Sequence, residues 1–327
     1  MGKYVFLRLL NYIVLLFIAI NLTYFLAASQ LHPRILFLAI NPPMDPVSVD
    51  NTLYAYNLND KTPIVERWWA WLTGVFLDWD WGSSPRGDSV NNQISQRVWV
   101  SLRLILIGSI AGTVLGVLAG AVSAIRQYKP TDRILTFVAM LLNSMPSFVI
   151  ATILIVLATK FNTGTGTRLF EFTGETGAIG DYTGATLADR IQHLVLPTAA
   201  LILLGFAFYS RVQRGLMLDT LGADYVRTAR AKGLPAGKAV MRHALRTALI
   251  PTGTYFAFSI ATLFTGATIM ESLFSFSGMG IYGVSTIQGQ DINGTVAVTA
   301  FAGASVLVGA ILSDVTVAIL DPRVRLS

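Results

Sequence analysis

Apolar residues in this 327-residue chain gather into six long runs: Val5 to Ala28, Val98 to Ile125, Ile134 to Phe161, Val195 to Tyr209, Leu249 to Met270 and Val296 to Leu320. Polar or charged stretches separate them. A helix rises about 1.5 Å per residue, so about 20 apolar residues cross the roughly 30 Å of bilayer hydrocarbon. The pattern therefore predicts an all-α, polytopic membrane protein with six transmembrane helices. The fourth run is the shortest, and it reaches a spanning length when extended back through Leu194 and forward toward Arg214, whose stem can snorkel to the interface. The first run, flanked by Lys3 and Arg8, imitates a signal peptide. It is too long for the apolar core of one, and no small-residue cleavage site follows before Leu31, so it reads as a retained first helix.

Two connections are too long to be simple links. Residues 29 to 97 hold five of the six tryptophans, Trp68, Trp69, Trp71, Trp79 and Trp81. The stretch Val65 to Leu77 reads as an amphipathic helix at headgroup level, where Trp is enriched, and it serves either as the anchor of an ordered cap or as a solute contact. Residues 211 to 248 are rich in Ala, Arg, Leu and Lys and are punctuated by Gly233 and Pro235, which predicts helix, turn, helix.

Composition agrees with the pattern: 53% hydrophobic and 13% charged residues exclude an ordinary soluble enzyme. A net charge of +6 raises the question of nucleic acid, and the placement of the charges answers it. Lys3 and Arg8 at the start of the first run, together with the segments between the second and third runs, between the fourth and fifth, and after the sixth, account for 15 of the 24 Lys and Arg. The remaining loops carry 13 of the 18 acids. By the positive-inside rule both termini lie in the cytoplasm of a cell (inner or plasma) membrane, and the basic excess records topology rather than nucleic-acid binding. Residues 29 to 97 are then external and 211 to 248 internal. The chain has no cysteine, which excludes disulfides and thiolate metal sites.

Several familiar patterns fail in context. Gly278, Gly280 and Gly283 match a dinucleotide fingerprint but follow a spanning helix, with no strand before them. Gly233 to Lys238 resembles a phosphate loop, yet it has three residues between its glycines and Ala239 where Ser or Thr would hold magnesium. The topology places His32 and His193 outside and His243 inside, each as a structural residue, so neither a metal site nor a catalytic triad is expected.

The inner loop reads Asp224-Tyr-Val-Arg-Thr-Ala-Arg-Ala-Lys-Gly233-Leu-Pro-Ala-Gly-Lys-Ala-Val-Met-Arg-His243-Ala-Leu-Arg-Thr-Ala-Leu-Ile-Pro251. It resembles the coupling loop, or EAA loop, of ABC importer permease subunits, and its wording is most similar to the oligopeptide and dipeptide branch. The generic Glu-Ala-Ala positions hold Arg227, Thr228 and Ala229 here, a departure usual in the peptide branch. Similar residues recur elsewhere: Tyr4 to Leu16, Asp80-Trp-Gly82, Ser144-Met-Pro146-Ser-Phe148, His193-Leu-Val-Leu-Pro197, Glu271-Ser-Leu-Phe274 to Gly280, and Leu320-Asp-Pro-Arg323. The external loop departs from the family, with Leu31-His-Pro-Arg34 and Pro43-Met-Asp-Pro46 in place of a short Leu-Pro-Gly-Asp-Pro-like segment.

The resemblance implies the type I ABC importer permease architecture. Residues 1–95 would form the first helix and external loop, 96–320 the permease core, and 321–327 a cytoplasmic tail. It further implies a second homologous permease subunit, two ABC ATPase subunits, an external solute-binding protein, a peptide substrate and membrane lipid as partners. No cofactor is expected in this chain, because ATP and magnesium would sit in the ATPase subunits, and no residue is expected to do covalent chemistry. Asp224, Tyr225, Arg227, Ala229, Arg230, Gly233 and Leu234 would form the coupling contact, with Ala229 and Ala231 allowing close approach to the partner and Gly233 supplying the turn. Polar residues in or near spans are costly unless they face a cavity or a partner, which makes Arg103, Asn143, Ser144, Pro146 and Glu271 candidates for the substrate path. Pro146 also reads as a kink, and Asp314 as a structural hydrogen bond or salt bridge. Alternatives are a permease of the same family for nickel or an oligosaccharide and, from another class, a self-sufficient secondary transporter, which would call for inverted repeats and ionisable groups near the midplane.

Overall fold

The computed structural model describes residues 2–42, 44–177 and 187–320, with side chains described throughout these ranges except at 2–6, 257–267 and 315–320. The expected tail 321–327, with Arg323 and Arg325, and Pro43 lie outside the described residues. In chain order the helices are α1 (Gly2–Gln30), α2 (Arg34–Leu38), α3 (Pro46–Ala55), α4 (Ile64–Leu77), α5 (Val90–Ile125), α6 (Pro130–Ser144), α7 (Ser147–Thr165), α8 (Leu187–Leu221), α9 (Asp224–Ala231) and α10 (Ala236–Ala239). A π-helical segment, Val240–Leu245, leads into α11 (Arg246–Leu273), followed by α12 (Met279–Gln288) and α13 (Ile292–Leu320). Among the described residues the only β pairing is a bridge between Ser83 and Ser89.

Five described stretches are long and apolar enough to cross a bilayer: Leu7–Leu38, Val90–Ile125, Ser147–Thr165, Leu187–Leu221 and Ile292–Asp314. The predicted run Leu249 to Met270 falls within α11 and takes in residues 257–267. Two expectations change in detail. The third run is two helices, because Met145 is extended (φ −89°, ψ 132°), as a residue before proline prefers, and Pro146 caps the start of α7. The fourth is far longer than its apolar centre, since α8 carries 35 residues with Pro197 inside it.

The chain forms two compact units. The first takes in Leu102–Phe276 and the described residues from 308 onward. In it α6, α7 and α11 all pack on α8, which acts as the central post. The contact of α5 with α8 is made by glycine. Gly108, Gly112, Gly116 and Gly120 recur every fourth residue and so share one face of α5. A Cβ at Gly112 would lie 3.0 Å from the Ile202 carbonyl oxygen, and one at Gly120 would lie 2.5 Å from that of Ser210. Gly205 returns the approach from α8, where its own Cβ would stand 3.1 Å from the Gly112 Cα. Lipid tails supply no hydrophobic drive between helices, so such backbone-to-backbone closeness is a main source of attraction.

The second unit comprises Gly2–Ser101 and Ser277–Leu307. The long connection between α1 and α5 is a folded cap built on α1. The side chain of Asp45 accepts the Ser48 N–H at 3.1 Å to start α3, with Pro46 at the first helical position. Val49 and Leu53 of α3 then join Tyr24, Trp71, Val75, Ile292 and Val296 in one buried cluster. Arg34 closes the cap by pairing with Asp50 at 2.7 Å and with Asp60, and the guanidinium holds the Asp60 carboxyl below its ordinary range.

The expected amphipathic helix is present as α4, but two of its tryptophans face protein rather than headgroups. Trp68 Nε1 donates to Asn21 Oδ1 at 2.7 Å, and the Trp71 ring lies 5.0 Å from that of Tyr24. Trp69 is the exposed member of the three. The helix lies where the sequence predicts it, and the main partner of its apolar face is α1.

The glycine contact makes the first prediction. Gly120→Ala should lower the thermal unfolding midpoint of the detergent-solubilised protein, by the equivalent of about 2 kcal/mol from overpacking. Gly215→Ala, on α8 with open space around the added methyl, should leave the midpoint unchanged or raise it. Equal midpoints for the two variants would show that α5 and α8 do not depend on this closeness.

Candidate functional site

The segment after α8 folds as a small knob. In α9, Val226 is buried against Ala239 and Ala244, with Leu221, Ala229, Leu234 and Val240 packed around them. The same winding leaves Asp224, Tyr225, Arg227 and Arg230 exposed. α9 stops on Gly233, whose φ of +88° a side chain would resist. The stop is a paired closure: Gly233 N–H donates to the Arg230 carbonyl at 2.9 Å, and Leu234 N–H reaches back to that of Ala229 at 3.1 Å. Leu234 then packs near Ala229, and Pro235 starts the next helix. The seven residues singled out in the sequence thus divide by role. Ala229, Gly233 and Leu234 build the turn, and Asp224, Tyr225, Arg227 and Arg230 form the face it presents. Ala229 was expected to approach a partner, yet it is half-buried in the knob's own seam because the helix must close on Leu234.

The knob stands on a polar lock absent from the sequence reading. Asp132, in the first turn of α6, accepts Arg214 of α8 through both oxygens, with Nε at 2.8 Å and Nη2 at 3.0 Å. Ser123 also donates to this carboxylate, as do the Tyr128 N–H at 2.8 Å and Thr136 Oγ1 at 3.2 Å. Hydrogen bonding from Arg214 holds the Asp132 carboxyl well below the usual range. At the preceding residue of α8, Gln213 Oε1 accepts Thr252 Oγ1 of α11 at 2.5 Å, with both side chains buried. Ala121, Ala124, Met217 and Ala248 fill the space between α5, α8 and α11. The ends of four helices are therefore tied together next to the knob, and the π-helical segment Val240–Leu245 leads from it into α11.

The candidate path residues occupy different surroundings. Asn143, Ser144 and Pro146 come together, exposed, at the break between α6 and α7, where Ser144 Oγ donates to the Met140 carbonyl at 2.8 Å. Arg103 pairs with Glu175 at 2.7 Å, an acid in the 171–177 stretch that was not singled out. Glu271 is fully buried and engaged, and its carbonyl accepts the Phe276 N–H at 2.8 Å. His193 is buried with Nδ1 2.9 Å from the Asp189 carbonyl, as a structural histidine would be. No group of three metal-ligating side chains occurs among the described residues.

Residues 112–326 match the family model described as "Binding-protein-dependent transport system inner membrane component". The chain is 44% identical over 332 residues to the oligopeptide transport system permease protein OppB of Mycobacterium tuberculosis, covering 100% of both chains. It is 34% identical to the dipeptide transport system permease protein DppB of Lactococcus lactis subsp. cremoris, again over 100% of both. To the oligopeptide transport system permease protein AppB of Bacillus subtilis it is 31% identical, over 88% of each.

The lock gives the second prediction. Asp132→Ala strands the Arg214 charge and should cost about 3 kcal/mol, seen as a lower thermal midpoint in micelles. Asp132→Leu combined with Arg214→Met should recover most of that loss, because the pair is then replaced rather than broken. A double variant no more stable than Asp132→Ala would contradict this account.

Proposed function

The chain belongs to the family of binding-protein-dependent transport system inner membrane components, and on that premise we propose that it is the permease subunit of an ATP-driven importer of oligopeptides or dipeptides. It is a multi-pass membrane protein and a transport component. In this reading both termini and the knob lie in the cytoplasm, where the basic loops are. A second permease subunit completes the path, two ATPase subunits bind the knobs and hold ATP with magnesium, and an external binding protein delivers the peptide.

The observation that carries the reading is the knob itself: a closed helical turn with a charged and aromatic outer face, beside bundle ends that are tied together. Closure of the ATPases on ATP draws the knobs together. The load passes through the π-helical segment into α11 and, through the chain, into α8, which Arg214 binds to α6. Because these ends are locked, displacement of the knob reaches the helices as a rigid-body movement, which opens the path outward; hydrolysis reverses it. The exposed break at Asn143, Ser144 and Pro146 is the preferred place for solute contact, since non-helical backbone at membrane depth is tolerated where it lines a cavity.

Two measurements test this. Coexpression with cognate ATPases should yield a complex that takes up labelled tripeptide into vesicles in the presence of ATP and the binding protein. Gly233→Trp should insert and assemble, since the strain of a side chain at φ +88° falls on the turn of the knob and no other group lies within 4 Å, yet lose at least about tenfold of the ATP hydrolysis stimulated by the binding protein; Arg227→Glu, on the exposed face and without backbone strain, should lose the same stimulation. Full coupling in these variants would remove the knob from the mechanism.

A further inference from the structure

In the second compact unit a cavity of about 380 Å³ lies among the 84–88 stretch, the first turns of α5, the end of α12 and the residues before α13. Its most constrained cation is Arg97. The guanidinium donates twice to Gln93 Oε1, from Nε at 2.9 Å and Nη2 at 2.8 Å, and sits 4.9 Å over the Tyr282 ring. Nη1 reaches the Ser277 carbonyl at 3.4 Å. The guanidinium is thus held in place without a carboxylate within ion-pair distance among the described residues. Arg103 and Arg214 each pair with one carboxylate and Arg34 with two. Tyr282 is 5% exposed, and its hydroxyl has no hydrogen-bond partner. A buried phenol left unpaired carries a desolvation penalty, which a ligand could relieve.

Arg86 adds a second cation to the lining. Two carboxylates also line the cavity and must be accounted for. Asp291 Oδ1 accepts the Gly294 N–H at 2.9 Å at the start of α13, and burial pushes its pKa up to about 6. Asp88 is exposed, with Oδ2 3.5 Å from Ser84 Oγ. Asp88 is thus open to water, and the buried polar atom in the lining without a partner is the Tyr282 hydroxyl, which belongs to the ring beneath the constrained Arg97 guanidinium.

We infer that this cavity is a carboxylate-binding site, with Arg97 and Arg86 as its cations and the Tyr282 hydroxyl as a further donor. Resting on the orientation proposed above, it opens outward, and the carboxylate comes either from the free C-terminus of a peptide or from an acidic side chain of the external binding protein. Binding by purified protein does not depend on orientation or transport, so failure here and failure of the transport reading are separable.

The test uses the full-length chain in nanodiscs of uncharged lipid, with binding followed by saturation-transfer NMR. The probes are Ala-Ala-Ala, its C-terminal amide, and acetyl-Ala-Asp-Ala-amide. At least one carboxylate probe should bind about tenfold or more tighter than the neutral amide, and Arg97→Gln should lose about tenfold for that probe. Tyr282→Phe should lose about threefold, and Arg97→Lys should fall between wild type and Arg97→Gln. Preference for Ala-Ala-Ala identifies a peptide end, and equal or better binding of the internal aspartate identifies a partner's side chain. If Arg97→Gln does not fold, Arg86→Gln on the exposed loop carries the test, with a weakening of at least about threefold expected. Equal binding of acid and amide, no binding of either acid, or unchanged affinity in the arginine variants overturns the proposal.

Discussion

The constraint on which the first unit depends is how closely two backbones approach. Along one face of α5, four glycines let α8 come within contact of the main chain itself, and larger side chains there would hold the helices apart. In a bilayer this matters more than in water, because separating two apolar helices exposes them only to other apolar material. What keeps α8 in place is therefore shape together with a few buried polar ties. Once α8 is fixed, Arg214 and Gln213 are carried to Asp132 and Thr252, and α6, α7 and α11 have a common surface to pack on.

The knob follows a different principle. Its apolar core is small, consisting of Val226, Ala239 and Ala244 with their fringe, and its form owes much to the way α9 ends. The left-handed glycine and the two reaching N–H groups turn the chain within a few residues, which frees the opposite face from structural work. Residues responsible for shape and residues available to a partner are consequently separate, although they alternate in the sequence.

Much of this division could be seen in the residues, for identifiable reasons. The spans were legible because hydrocarbon imposes a length, and the knob because glycine and proline punctuate a helix-forming stretch. The stripe of α4 was legible as a stripe but not as a contact with α1: an amphipathic pattern says that a face is covered, not whether lipid or protein covers it. The tie between Asp132 and Arg214 joins residues 82 apart and leaves no local trace. The same holds for Arg103 and Glu175, since an acid in an irregular stretch gains its meaning only when the chain brings it to a base. The glycine ladder did leave a trace, a period of four within an apolar run. Hydropathy does not reveal it, because glycine counts there as neutral filler, whereas its meaning in a span is the space that it leaves.

The π-helical segment at Val240–Leu245 bears on how such a subunit could diverge. A π turn is an α-helix holding one residue too many, and each α-helical residue advances the side-chain direction by about 100°. The phase between the knob's outer face and the spanning part of α11 is thus set by a single residue's worth of chain. Insertions or deletions at this point would re-aim the face bearing Tyr225 and Arg227, and they would also shift Val240 and Leu245, which pack against Ala121, Ala124, Met217 and Ala248 at the ends of α5, α8 and α11. A lineage that retunes its fit to a changed partner there by indel must therefore also reseat Val240 and Leu245 against the bundle, which ties the aim of the knob to the packing of the helix ends.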